Sequence, residues 1–292
     1  MKTYNYRVVD VFTERPLEGN SLAVFFDAAG LDDATMQRIA REMNLSETTF
    51  VFSPSRPEFT ADVRIFTPAK EMIFAGHPTI GTSFVLLEEK PELKGCDRFV
   101  LEEKVGPVPI RVEKGERPLI WLRTPAIEYG QLYDATLCAR ALGLRRGDLL
   151  ETSPQLVSAG NPTIFVALKD KLTVDRAWLD MQGLKSITGG DGEPVCVFVF
   201  APTAEGAYSR MFAPEYGVPE DPATGSSTGP LASFMMRHGL MSRKSGTRRV
   251  SEQGTKMGRR SILHILVHGD DGCGGIEVGG YVTPVATGAL TI

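Results

Sequence analysis

Three short stretches concentrate groups able to move a proton or hold an anion. Glu47 follows Ser46 in NLSETTFVF (44–52), and His77 follows Gly76 in FAGHPTIG (74–81). Asp221 precedes Gly225 and Ser226 in PEDPATGSS (219–227). Each glycine reads as the opening of a helix. The first N–H groups of a helix have no intrahelical partner, and the macrodipole adds about half a positive charge at that end. A helix mouth therefore holds anions, and glycine lets a ligand approach its backbone closely. Pro78 suits the first helical turn after such a glycine. His77 is placed to offer its imidazole to the same anion. An Asp facing that His would fix its tautomer and charge. Glu47 sits at a strand entrance. Folded into a cleft and desolvated, it would move toward the working range of a general acid/base, about 6–7. Each residue also has an ordinary reading: Gly76 and Gly225 as turn glycines, His77 as a structural histidine, Asp221 as a turn cap and Glu47 as an exposed loop acid.

Other chemistries lack their residues. His264 and His268 are four apart, but SILHILVHG reads as a strand, where that spacing makes no helical ligand pair, so no metal is expected. HExxH and phosphate-binding glycine loops are missing. Cys96, Cys138, Cys196 and Cys273 are scattered without a CxxC pair, which reads as reduced, mostly buried thiols. The formal net charge of −4 gives no electrostatic reason for a nucleic-acid partner. The basic run over 242–261 has no interleaved aromatics and reads as a solvated hairpin face. No apolar run approaches the roughly 20 residues of a membrane span, and MKTYNYRVVDVF has no continuous apolar core of a signal peptide. A cytoplasmic protein with no membrane partner is expected.

The elements that must position these groups are mostly strands, rich in β-branched and aromatic residues, such as SLAVFFD (21–27), FTADVRIFT (59–67) and VCVFVFA (195–201). Amphipathic helical spacing marks DDATMQRIAREMN, with Asp32 or Asp33 as N-cap, then 133–144 and 174–184. The segments after the two glycines, HPTIGTSFVLLEEK and SSTGPLASFMMRHG, are apolar almost all round, the pattern of a helix buried inside a surrounding sheet. The chain also repeats itself. Gly-Asn followed by a strand occurs at 19 and 160, Arg-apolar-Phe-small-Pro at 64 and 210, and the mouth glycine at 76 and 225. These matches keep their order at a shift close to half of the 292 residues, which points to a duplicated half-domain. The expected division is an N-terminal half over 1–125, joined by a C-terminal strand at about 278–292, and a second half over 126–277.

Four longer stretches, PLEGNSLAVFF, QRIAREMNLSETTFVF, RIFTPAKEMIFAGHPTIGT and RMFAPEYGVPEDPATGSSTGPLA, carry a resemblance that covers essentially the whole chain. The sequence resembles the PhzF family of phenazine-biosynthesis isomerases, which has the diaminopimelate epimerase-like fold. That resemblance implies an α+β protein of two pseudo-symmetric halves, each a curved sheet or barrel around a central helix, with the site between them. It implies a cofactor-independent isomerase that moves a proton between carbons of a small anionic substrate, as in isomerisation of trans-2,3-dihydro-3-hydroxyanthranilate, and a homodimer. Glu47 would be the proton carrier, His77 and Asp221 would hold and polarise the substrate, and Ser46, Ser226, Gly76 and Gly225 would complete the pocket. The related epimerases carry a thiol before each mouth glycine. Here those positions are Ala75 and Thr224, which disfavours a two-thiol racemase. An epimerase or tautomerase acting on another small amino or hydroxy acid, or a small-acid binding protein without activity, are the alternative readings.

Overall fold

The computed structural model describes residues 1–190, 193–269 and 275–292, so Cys273 lies outside the described residues. The chain forms two compact units, residues 1–123 with 279–292, and residues 124–278. Both are α+β.

The first unit runs β1 (Thr3–Val11), β2 (Asn20–Phe25), α1 (Asp33–Met43), β3 (Glu47–Phe52), β4 (Ala61–Phe66), β5 (Glu71–Met72), α2 (Gly76–Glu89), β6 (Arg98–Glu103), β7 (Gly106–Glu113) and β8 (Leu119–Arg123). The C-terminal strand Val282–Thr291 lies antiparallel to β1, which pairs on its other side with β2. β2 and β3 are parallel, β3 and β4 antiparallel, and β4 is parallel to β6, which continues through β7 to β8. The amphipathic helix α1 covers the outside and buries Met36, Ile39 and Ala40 on one face. It starts where Asp32 accepts from the Thr35 amide at 2.7 Å and stops at Asn44, which takes a left-handed conformation with φ of 50°. Helix α2 is different: every residue from Gly76 to Leu86 is buried, because it packs against β1, β2, β3 and β8. Gly81 is what allows the helix to approach. A β-carbon there would lie 2.6 Å from Leu22 and 2.8 Å from Val11.

The second unit repeats the plan with β9 (Glu128–Leu132), α3 (Ala135–Ala141), β10 (Gln155–Ser158), β11 (Thr163–Ala167), α4 (Lys171–Arg176), α5 (Met181–Thr188), β12 (Cys196–Pro202), β13 (Gly206–Ala213), β14 (Val218–Asp221), α6 (Gly225–Arg237), β15 (Arg248–Gln253) and β16 (Ser261–Val267). Again a parallel pair, β11 with β12, leads to an antiparallel β13, which is parallel to β15. The central helix α6 packs against β10, β11 and β16, with Phe234 between the rings of Phe165 and Phe200. Strand β12 is buried over Cys196–Ala201, on both faces, as expected where a helix covers each side.

The repeated Arg-apolar-Phe-small-Pro motif has one job in both units. Arg64 Nε donates to Glu71 Oε1 at 2.7 Å, and Arg210 Nε and Nη2 donate to the two Glu220 oxygens at 2.8 Å each. Each guanidinium also lies over the ring of its own motif phenylalanine, 5.2 Å from Phe66 and 4.9 Å from Phe212. The arginine thus pins the returning hairpin strand, β5 or β14, which leads into the helix mouth.

One helix differs from expectation. The spacing over 174–184 suggests a continuous helix, but α4 ends at Arg176 and α5 starts at Met181. Two local interactions break it. Asp180 caps α5 by accepting from the Gly183 amide at 2.7 Å, and Arg210 Nη1 takes the carbonyls of Val174, Asp175 and Ala177 that a continuing helix would have used. The basic run over 242–261 holds β15 and the turn leading into the antiparallel β16, with Arg260 paired to Glu252. His264 lies within β16, and His268 just beyond it contacts Glu277 at 3.1 Å. Among the described residues no group of three metal-ligating side chains occurs, and no helix is long and apolar enough to cross a membrane.

Candidate active site

In the first unit three chain segments converge on His77. This residue is 6% exposed and begins the first turn of α2 directly after Gly76. The side chain of Asn20, the first residue of β2, brings Nδ2 to 3.4 Å from His77 Nδ1. An amide N–H facing Nδ1 makes that nitrogen the acceptor and leaves the proton on Nε2. Glu47, the first residue of β3, brings Oε2 to 3.1 Å from Nε2. Burial holds the imidazole well below its ordinary range, at about 3, so His77 is neutral. The Nε2 proton is not well directed at Glu47, and among the described residues Nε2 makes no hydrogen bond of good geometry. The carboxyl of Glu47 is 16% exposed, so one proton acceptor and one neutral N–H donor share a largely desolvated place.

The mouth of α2 adds backbone donors. The first intrahelical donor is the Thr79 amide, to the Ala75 carbonyl at 3.3 Å. The N–H groups of Gly76 and His77 come before it, and Pro78 has none. No side chain caps this end. Ser46, half-buried, immediately precedes β3.

The second unit builds its mouth from other groups. Helix α6 begins at Gly225, followed by half-buried Ser226, and the Ser227 amide is the first intrahelical donor. Asp221 ends β14, and its Oδ2 accepts from the Thr224 hydroxyl at 2.5 Å. Buried Gln253, at the end of β15, joins the pieces. Its Nε2 donates to the Asp221 carbonyl at 2.8 Å and to Thr224 Oγ1 at 3.0 Å, while its Oε1 accepts from the Thr224 amide at 3.2 Å. Asp221 thus also performs the turn-closing role that was its ordinary reading. Within the first unit, burial and Asn20 act on the charge and tautomer of His77.

The strand registers show which positions correspond. Leu22 pairs with Glu47 and Thr163 pairs with Cys196, and Leu22 and Thr163 each lie two residues after the repeated Asn, Asn20 or Asn161. Glu47 and Cys196 therefore occupy one place in the duplicated frame, as do His77 and Ser226 after the mouth glycines. Asn161 Nδ2 lies 3.9 Å from Cys196 Sγ, whereas the corresponding Asn20 lies beside His77. Burial, with the charge of Asp221 adding to it, pushes the Cys196 thiol up to about 12. A thiol at that value is a poor base near neutral pH. The frame has one ionisable proton carrier at this place, in its first copy. The sequence reading missed Asn20 and Gln253. Asn20 was marked by its repeat in Asn161, whereas Gln253 carries no local signal.

The profile of the phenazine biosynthesis-like protein family matches residues 9–288. The chain is 36% identical over 289 residues to the trans-2,3-dihydro-3-hydroxyanthranilate isomerase of Pseudomonas aeruginosa, covering 98% of each chain. It is also 36% identical to an uncharacterized isomerase of Mesorhizobium japonicum over the full length of both. The crystal structure of a PhzF-family phenazine biosynthesis protein from Bacillus anthracis superposes over both whole chains with a TM-score of 0.88 at 25% identity.

Proposed function

The chain belongs to the phenazine biosynthesis-like protein family, and from that membership and the Glu47–His77 pair we propose a cofactor-independent isomerase that moves a proton between two carbons of a small anionic substrate. Glu47 takes a C–H proton and returns it to another carbon. The observation that carries this reading is the carboxyl oxygen of Glu47 at 3.1 Å from a buried, neutral imidazole whose Nε2 proton is not spent on it.

The chemistry follows from the protonation states. A base must begin as a carboxylate, and a neutral imidazole beside it supplies no competing acid. Proton abstraction beside a carbonyl or conjugated system creates negative charge on oxygen. The Nε2 proton of His77 and the N–H groups of Gly76 and His77 are donors suited to that charge, in a place where water is scarce. A positioned acid/base commonly contributes about 10²–10⁴-fold in rate. The family pattern adds Asp221, Ser226 and Gly225 to the groups that hold and polarise the substrate, with Ser46 beside the proton carrier. The high value at Cys196 speaks against a pair of opposed thiol bases.

Trans-2,3-dihydro-3-hydroxyanthranilate is the first substrate to test, because the Pseudomonas aeruginosa relative bears its name. As part of the same reading the protein is cytoplasmic and a homodimer, and light scattering of the purified protein checks the dimer. The test of function is a screen in deuterated water across small amino and hydroxy acids, read by NMR. An isomerase yields a rearranged product. An epimerase exchanges one C–H without rearrangement, and a binding protein shifts ligand resonances without exchange. Binding alone across the set refutes the proposed reaction.

A further inference from the structure

We propose that Glu103 and Gln253 are a duplicated pair of positioning residues that tie each helix mouth to a strand end, and that Glu103 does so as a neutral carboxylic acid. The part of this inference that concerns turnover rests on the proposed function; the protonation of Glu103 does not.

The register identifies the pair. Asp62 on β4 pairs with Glu102, and Tyr208 on β13 pairs with Glu252. Asp62 and Tyr208 each lie two residues before the motif arginine, Arg64 or Arg210. The next residues, Glu103 and Gln253, therefore occupy one place, the last residue of β6 and of β15. Both are buried, at 3% and 0% exposure. Gln253 uses both arms of its amide on the second mouth, holding the Thr224 amide, the Thr224 hydroxyl and the Asp221 carbonyl. Residue 75, which corresponds to Thr224, is alanine and offers no hydroxyl. Glu103 instead reaches Thr79, with 2.6 Å between Oε1 and Oγ1.

Proton counting decides the state of Glu103. Thr79 Oγ1 also lies 2.8 Å from the Ala75 carbonyl oxygen, which can only accept. Thr228 makes the same bond to the Thr224 carbonyl in α6, at 2.9 Å. A hydroxyl has one proton, and the carbonyl contact that Thr79 shares with Thr228 assigns it to the carbonyl in both helices. The proton in the 2.6 Å contact then comes from Glu103. Its other oxygen, Oε2, has no partner among the described residues, which is tolerable for the carbonyl oxygen of an acid and costly for a carboxylate. Burial pushes this carboxyl up to about 8. Among the described residues no charged group on the bordering elements is bonded to it. Glu71 on β5 is held by Arg64 and Lys104, Asp62 on β4 accepts from the Ser55 amide, and His77 on α2 is uncharged. Glu102 and Lys104 flank it on its own strand and turn, where Glu102 pairs with Arg56 and Lys104 with Glu71. A neutral glutamic acid has nearly the shape of the glutamine at the equivalent place.

The consequence falls on the residues between Ala75 and Thr79, which are Gly76, His77 and Pro78. Fixing both ends of that turn fixes the direction of two backbone donors and of the imidazole.

The test compares Glu103→Gln, Glu103→Met and Gln253→Met with the wild type, each checked for native circular dichroism. Infrared difference spectra between wild type and Glu103→Gln at pH 6.5 show the C=O band of one protonated carboxylic acid. Glu103→Gln keeps kcat and KM within about threefold, because the amide donates to Thr79 as the acid did. Glu103→Met lowers kcat by on the order of 10²-fold, the cost of a misdirected group in an active site, and moves the His77 ring resonances. Gln253→Met does the same to kcat with the His77 resonances unmoved. Absence of the infrared band, or a Glu103→Gln variant as impaired as Glu103→Met, overturns the neutral acid. A Glu103→Met variant with wild-type kinetics and unmoved His77 resonances overturns the positioning role. The infrared and NMR readings need no substrate, so they decide the inference even where the proposed isomerisation fails.

Discussion

His77 and Glu103 perturb folding stability in opposite directions, and their windows overlap. His77 titrates at about 3 in the folded chain against 6.5 ordinarily, so the unfolded chain binds the extra proton between those values. Its contribution is present above pH 6.5 and is lost as pH falls toward 3, at about 1.4 kcal/mol per pH unit. Glu103 titrates at about 8 in the folded chain against 4.5 ordinarily, so the folded chain binds the extra proton. Its contribution is present below pH 4.5 and is lost as pH rises toward 8, with the same slope. Between about pH 4.5 and 6.5 the two slopes cancel. Between 6.5 and 8 only Glu103 acts, which predicts a fall of about 2 kcal/mol in the wild type. Urea unfolding at pH 5, 6.5 and 8 measures this. Glu103→Gln removes the fall above pH 6.5, and His77→Gln unmasks a continuous fall from pH 5 to 8. Taking differences between wild type and variant cancels the titrations common to both. A wild type and Glu103→Gln variant whose stability difference is the same at pH 6.5 and 8 would refute the reasoning.

Three structural perturbations follow from the packing. Arg210→Met strands the Glu220 carboxylate beside the α4 end and is expected to cost about 3–5 kcal/mol by urea unfolding, the range for breaking a buried pair. Asp180→Ala removes the cap of α5 and costs about 1 kcal/mol, with hydrogen exchange accelerating in 181–188 before the rest of the second unit. Gly81→Ala drives a methyl into Leu22 and Val11 and costs about 1–3 kcal/mol in thermal or urea unfolding.

The sequence was most legible where one physical requirement acts on neighbouring residues. The two central helices stand out because they are apolar on all faces, and α1 because its capping Asp and its spacing agree. Glu47 is visible at the entrance of β3 because a helix stop and a strand start bracket it. The repeat at a nearly constant shift exposes the duplication, although the role of Arg64 and Arg210 emerges only when the hairpin partner Glu is seen. The break at 177–180 was hidden because its cause is partly remote: Arg210, on another strand, takes the carbonyls that end α4. Asn20, Glu103 and Gln253 were hidden for the same reason. Each is a common polar residue in a strand, and only the folded chain brings its side chain to a helix mouth or to His77. Cys196 could be discounted as a motif thiol from sequence, but its correspondence with Glu47 needed the strand registers.

The most direct test is turnover of trans-2,3-dihydro-3-hydroxyanthranilate by Glu47→Gln, measured beside substrate binding by the same preparation. If Glu47 carries the proton, kcat falls by about 10²–10⁴-fold while the dissociation constant stays within about threefold. A Glu47→Gln variant that turns over within tenfold of the wild type would contradict Glu47 as the proton carrier.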